Sequence, residues 1–139
     1  MTVSALQALK LKLPPHSIEA EAAVLGSLML DNKAWEKVGD MINSSDFYKA
    51  EHKFIFQAIL RLLEQNKPAD VVTVFESLKS VDTDTNFGGI EYLNSLAQAS
   101  PSVLNIKGYA EIIRDQSILR RLVSVSEEIS SLALNSNRR

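Results

Sequence analysis

Two histidines, His16 and His52, are the only imidazoles in this sequence, and cysteine is absent. Without thiols there is no disulfide, no thiolate metal site and no cysteine nucleophile. Neither histidine has a second histidine or a carboxylate at metal-ligand spacing. His52 falls in an apolar helical row, where a packed, hydrogen-bonded imidazole is the expected role; His16, beside Pro15, reads as a turn residue. Glu19 and Glu21 are two positions apart, so on a helix they point about 200° away from each other and cannot flank one substrate as an acid/base pair. Helix-dipole and solvation roles suffice for them. Glu127-Glu128 and Arg120-Arg121 read as solvated faces of a long helix. The phosphate-binding patterns G-x-x-x-x-G-K-[ST] and G-x-G-x-x-G do not occur. Catalytic, cofactor-binding and metal sites are therefore all expected to be absent.

The composition agrees with an interaction module. The chain has 139 residues, 45% hydrophobic and 23% charged, with a formal net charge of -2. Surfaces that neutralise phosphates carry a basic excess, and here Lys and Arg alternate with Asp and Glu, so strong direct DNA binding is not expected. No run approaches the ~18 apolar residues of a membrane span, and residues 1–13 lack a signal-peptide core. A cytoplasmic protein is expected.

The elements follow from punctuation and period. Residues 1–13 are weakly amphipathic and are expected to form a disordered tail. Pro14-Pro15 holds the backbone extended, and Ser17 is a good N-cap. Ile18, Ala22, Leu25 and Met29 then mark one face of a first helix, with Gly26 beside it for close approach of a neighbour. A second, shorter helix from Asp31 carries Trp35, Val38 and Ile42 and ends in Asn43–Asp46. The third holds Tyr48, His52, Ile55, Ile59 and Leu62, widened by Phe56 and Leu63, and stops at Asn66 before Pro68. Asp70 caps a fourth with Val74, Phe75 and Leu78. Residues 81–89 read as a loop, and a fifth helix covers about 90–97. Asn105 opens the last, running to about Leu134, with a frayed end at 135–139. No alternating run supports a strand, so the class is all-α, a compact bundle of about six helices. Residues 14–104 form the globular head and 105–134 the long helix.

That long helix changes its apolar face. Ile106, Tyr109 and Ile113 form a first row, whereas Ile118, Leu122, Val125, Ile129 and Leu132 form a second at spacings of 4, 3, 4 and 3. The five-residue step from Ile113 to Ile118 turns the second row by about 140° from the first. The first half is expected to pack on the head, and the second row is the candidate subunit or partner interface.

Several markers resemble one family. Pro14-Pro15-His16-Ser17-Ile18-Glu19-Ala20-Glu21 continues through Val24-Leu25-Gly26-Ser27-Leu28-Met29-Leu30-Asp31. In order there follow Asp46-Phe47-Tyr48, His52, Ile55-Phe56, Pro68, Asp70, Thr73, Gly88-Gly89, Tyr92-Leu93, Pro101-Ser102, Asn105 and Tyr109-Ala110. Over about residues 13–134 the chain resembles the N-terminal domain of DnaB-type replicative DNA helicases. The resemblance implies a collar domain that joins helicase subunits and docks the C-terminal helicase-binding domain of primase. A helicase loader is a further candidate partner. In that family the long helix is one arm of a helical hairpin, and a RecA-like motor lies C-terminal to this region. The motor supplies ATP- and Mg-dependent unwinding within a hexamer. Ending at Arg139, this chain is expected to lack the second arm and the motor, to have no helicase activity of its own, and to dimerise at most. The helicase-binding domain of a primase, which has a similar fold, and a non-enzymatic helical scaffold are the alternatives.

Overall fold

The structure, a computed structural model, describes residues 13–81 and 88–136. Residues 1–12, where the disordered tail is expected, lie outside the described residues, as do 82–87 of the expected loop and 137–139. Among the described residues there are six α-helices and no strand. We label them α1 (Ile18–Leu30), α2 (Trp35–Val38), α3 (Ala50–Glu64), α4 (Val71–Val81), α5 (Gly89–Ala99) and α6 (Ile106–Ser136), with single 3-10 turns at Asn32–Ala34, Ser44–Asp46 and Val103–Asn105.

The hub is α1. Its N-cap is Ser17, whose hydroxyl accepts from Ala20 N at 3.2 Å. The sequence gives it one apolar face, but Ala20, Ala23, Val24, Leu25, Leu28 and Met29 are all buried, while Ile18 and Ala22 are only half-buried. The reason is topological: α3, α5 and α6 all pack on it. A helix with neighbours on several sides buries most of its circumference rather than one stripe.

Gly26 is where α5 comes closest. A Cβ built there would lie 2.1 Å from the carbonyl oxygen of Leu96. Beside this crossing the hydroxyls of Ser27 and Ser100 meet at 2.7 Å. Alanine is the better helix former by about 0.5–1 kcal/mol, yet Gly26→Ala is expected to lower stability by about 1–3 kcal/mol, because the obstacle is backbone that must shift. Urea unfolding reads the outcome; a midpoint at or above that of the parent would show that the helices are free to separate.

The second expected helix is shorter than its apolar spacing suggests. Only Trp35–Val38 is α-helical, and Ile42, though buried, lies beyond it. Asn43 through Asp46 do not simply end a helix. They form a capping box, in which the Asp46 carboxylate accepts from Asn43 N at 2.9 Å and Asn43 Oδ1 from Ser45 N at 3.0 Å. Asn32 fixes the neighbouring chain: its amide donates to Leu28 O and Ala69 O at 2.8 Å each, and its carbonyl accepts from Ala69 N at 3.0 Å. Ala69 is buried, and α4 begins two residues later, at Val71. Its start is tied by a bond from Thr73 N to Asp70 Oδ1 at 2.9 Å, the cap expected at Asp70.

The third helix begins at Ala50, two residues after Tyr48, and buries His52, Ile55, Phe56, Ala58 and Ile59. It ends with Asn66 at φ 58, a left-handed stop shortly before Pro68. Gly88, at φ 88, uses the same conformation to launch α5, which runs past its expected end to Ala99. The last helix is 31 residues long and continues through Ser136, so Asn135 and Ser136 belong to the helix rather than to a frayed end.

Candidate partner interface

The long helix α6 divides by burial into two parts. Ile106, Ala110, Ile113 and Ser117 are buried, a row at spacings of 4, 3 and 4 that lies on α1 and its neighbours. Tyr109, expected in this row, is half-buried, and Ala110 takes the deeper place. From Arg121 to Ser136 every residue is exposed, a length of about 24 Å at the 1.5 Å rise of a helix.

A brace holds the base of the free half. Ser117 Oγ donates to Asp46 Oδ1 at 2.8 Å. The Arg120 guanidinium donates to Pro15 O at 2.9 Å and to Asp46 O at 2.6 Å, and stands 5.6 Å from the Tyr48 ring centre. Tyr48 stacks on His16 at 4.1 Å, and His16 Nδ1 lies 2.7 Å from Pro14 O. The double proline thus becomes a strap pinned under the helix. Arg120 is corrected by this geometry: one turn past the last buried residue it still overhangs the head, so it is a clamp and not part of a solvated face. Arg121, Glu127 and Glu128 are exposed. A polar groove of about 480 Å³ beside the brace has Asp40 and Asp46 facing Arg114, Arg120 and Arg121, and Arg120 is already bonded to Pro15 O and Asp46 O.

All five residues of the second row lie on the free half or at its root, and all are exposed, from 38% for Ile118 to 68% for Leu132. The row is turned about 110° from the buried one. Fully covered, each side chain would contribute roughly 1.5–3 kcal/mol. In the single chain much of that is unrealised.

Inside the head lies a polar cluster that sequence reasoning missed. Glu21 is 1% exposed and His52 0%, and His52 Nδ1 meets Glu21 Oε1 at 2.7 Å. The Glu21 carboxylate also accepts from Tyr48 N at 2.7 Å and from Lys49 N at 3.3 Å. It therefore sits at the N-terminus of α3, where Lys49 offers no side-chain cap and a negative charge is favoured. On its other side His52 Nε2 meets Tyr92 Oη at 2.5 Å, and Lys49 Nζ donates to the same oxygen at 3.0 Å. One assignment uses every donor once: Lys49 to Tyr92, Tyr92 to His52, His52 to Glu21. The Lys49 ammonium is held above its ordinary pKa chiefly by its bond to Tyr92, with partial burial opposing and Glu51 adding to the rise. A raised lysine contributes stability fully below its unfolded pKa of about 10.4 and loses it only as pH climbs through the folded value, so this contribution is constant across neutral pH.

The expected roles of Glu21 and His52 divide here. His52 is the packed, hydrogen-bonded imidazole its position suggests. Glu21 is corrected: it is neither solvated nor confined to the dipole of its own helix. Every buried side-chain polar atom among the described residues has a partner. Among those residues no group of three or more His, Cys, Asp and Glu could hold a metal, and no helix is long and apolar enough to cross a membrane.

Such a fold is an all-α head with its buried side-chain polar groups satisfied among the described residues, from which half of a long helix projects with an exposed apolar row. Its relatives narrow the class. Residues 13–115 match the family model described as DnaB-like helicase N terminal domain, and the chain belongs to that family. It is 44% identical over 117 residues to the replicative DNA helicase DnaB of Pasteurella multocida, covering 84% of this chain and 25% of that protein. With the replicative DNA helicase DnaB of Geobacillus stearothermophilus the identity is 40% over 119 residues, covering 86% and 26%. The chain thus spans about a quarter of the length of the curated relatives it matches. Among solved structures it is similar to the N-terminal domain of DnaB helicase from Mycobacterium tuberculosis, with a TM-score of 0.87, 32% identity, and coverage of 91% of this chain and 90% of that one. It is also similar to the N-terminal domain of DnaB helicase from Helicobacter pylori, a structure described with its interactions with primase, at a TM-score of 0.73, 30% identity, and coverage of 83% and 89%.

Proposed function

We propose that this domain is the N-terminal collar of a replicative DNA helicase, joining subunits through the α6 row and docking primase at the replication fork. The observation that carries the reading is the exposed row itself. Ile118, Leu122, Val125, Ile129 and Leu132 repeat at helical spacing along a rod that the head does not cover, in a chain of the family named above. A contiguous apolar strip along a rod that the head does not cover is the mark of a surface meant to be covered. Docking of the primase C-terminal helicase-binding domain is supported by the Helicobacter pylori relative, described together with its interactions with primase.

On this reading the domain has no catalytic role. ATP- and Mg-dependent unwinding belongs to the RecA-like motor that follows this domain in the family, within a cytoplasmic hexamer. A helicase loader is a further partner to test. Light scattering over a concentration series of the 139-residue chain is expected to show reversible self-association. Calorimetric titration with the primase C-terminal domain is expected to show saturable heat. A strict monomer at high micromolar concentration would remove the subunit-joining role, and a flat titration would remove the docking role.

A further inference from the structure

We propose that an apolar cleft at the start of α6 is the docking site of the chain's own N-terminal segment, residues 1–12. The cleft lies where α1 begins, α5 ends and α6 makes its first turns. It holds about 410 Å³ and is lined by Ile18, Ala22, Ala99, Pro101, Tyr109 and Ile112, within the size range of ligand pockets. The alanines leave its floor low, so a second segment can approach α1 closely. Ile112 is 42% exposed there, and the same face of α6 continues as exposed Leu119 and Val123, about 120° around the helix from the Ile118–Leu132 row.

Charge and tether select the occupant. Glu19 lines the cleft, and Asp115, also exposed, flanks the Ile112–Val123 face about 40° away. The basic residues of α6, Lys107, Arg114, Arg120 and Arg121, lie at least about 60° from that face, and Arg120 is already committed to Pro15 and Asp46. The cleft therefore suits an apolar segment with a basic flank. Residues 1–12 have that chemistry: Val3, Leu6 and Leu9 recur at spacings of three, with Lys10 and Lys12 and no acidic residue.

The segment also starts beside its site. Ser17 is on the rim of the cleft, Pro15 is pinned to Arg120, and Leu13 is 53% exposed. Twelve extended residues span up to about 40 Å, ample to turn back, and a short tether keeps its ligand at an effective concentration of about millimolar. Leu6 and Leu9 enter the cleft, the lysines face Glu19 and Asp115, and the segment is held rather than left as the free tail its composition suggests. A partner helix seeking this face must displace it.

The sequence has no cysteine, so Ser4→Cys offers one attachment point for a nitroxide on the isotope-labelled 139-residue chain. The expected result is loss of the amide signals of Ala22, Ala99 and Ile112, restored by reducing the nitroxide and absent when Leu6 and Leu9 are both replaced by Asp. Unchanged signals in the labelled chain would overturn the proposal, as would signal loss that survives the two leucine replacements. Signal loss arising only when the nitroxide sits on a separate copy would overturn it in favour of a second molecule.

Discussion

Replacing Glu21 by alanine is expected to destabilise the head by about 3–5 kcal/mol, because it removes one buried carboxylate on which three hydrogen-bond donors converge. The carboxylate gathers His52 Nδ1 and the backbone N–H groups of Tyr48 and Lys49, and alanine leaves all three without this acceptor. Each buried donor left unmet costs about 1–3 kcal/mol by itself. Urea unfolding followed by far-UV circular dichroism measures the loss. The exposed Glu19→Ala in the same helix serves as the control, expected within about 0.5 kcal/mol of the parent. Equal midpoints for the two variants would sink the assignment. Replacing the pair together, Glu21→Leu with His52→Leu, should recover part of the loss, because the second change removes one of the stranded donors. The N-terminus of α3 still loses its acceptor, so recovery should be incomplete.

That cluster also marks how far the sequence could be read. The helices of the head were legible because their punctuation is strong: Ser17, Asp70 and the stop before Pro68 all act locally. The second helix failed because Trp35, Val38 and Ile42 fit helical spacing while the 3-10 turns on either side are set by side-chain bonds from Asp31, Asn43 and Asp46. Glu21 was misread because its partner lies 31 positions away. A local signal did exist. Glu21 precedes Leu25 and Leu28 in a row that is wholly buried, and His52 precedes Ile55, Phe56 and Ile59 in another. An acid and an imidazole each interrupting an apolar row are complementary, and burial penalises either one alone. Arg120 gives the opposite lesson. Nothing in its own helix separates it from Arg121, and only the path of Pro14-Pro15 beneath α6 decides which of the two is bound.

The turn of the apolar face along α6, by contrast, follows from period alone, and a one-residue change can test what the exposed row is for. Leu122→Asp is expected to abolish self-association at concentrations where the parent associates. Leu122 is 61% exposed in the single chain and lies past Ser117, the last buried residue of α6, so the head does not depend on it. In a symmetric pair the change occurs on both sides; losing about 1.5–3 kcal/mol per leucine twice weakens association about a hundredfold or more. The aspartates add a desolvation cost. Val123→Asp separates a specific interface from a general effect of charge, since Val123 is also exposed but points about 100° away. Sedimentation equilibrium should place Leu122→Asp as a monomer and leave Val123→Asp with the parent, while both keep the parent's urea midpoint at concentrations low enough for the parent to be monomeric. If Val123→Asp dissociates as readily, the contact is not made by this row. If Leu122→Asp loses helicity or its unfolding midpoint falls by more than a surface change allows, about 0.5 kcal/mol, the row belongs to the core and the rod is not a docking surface.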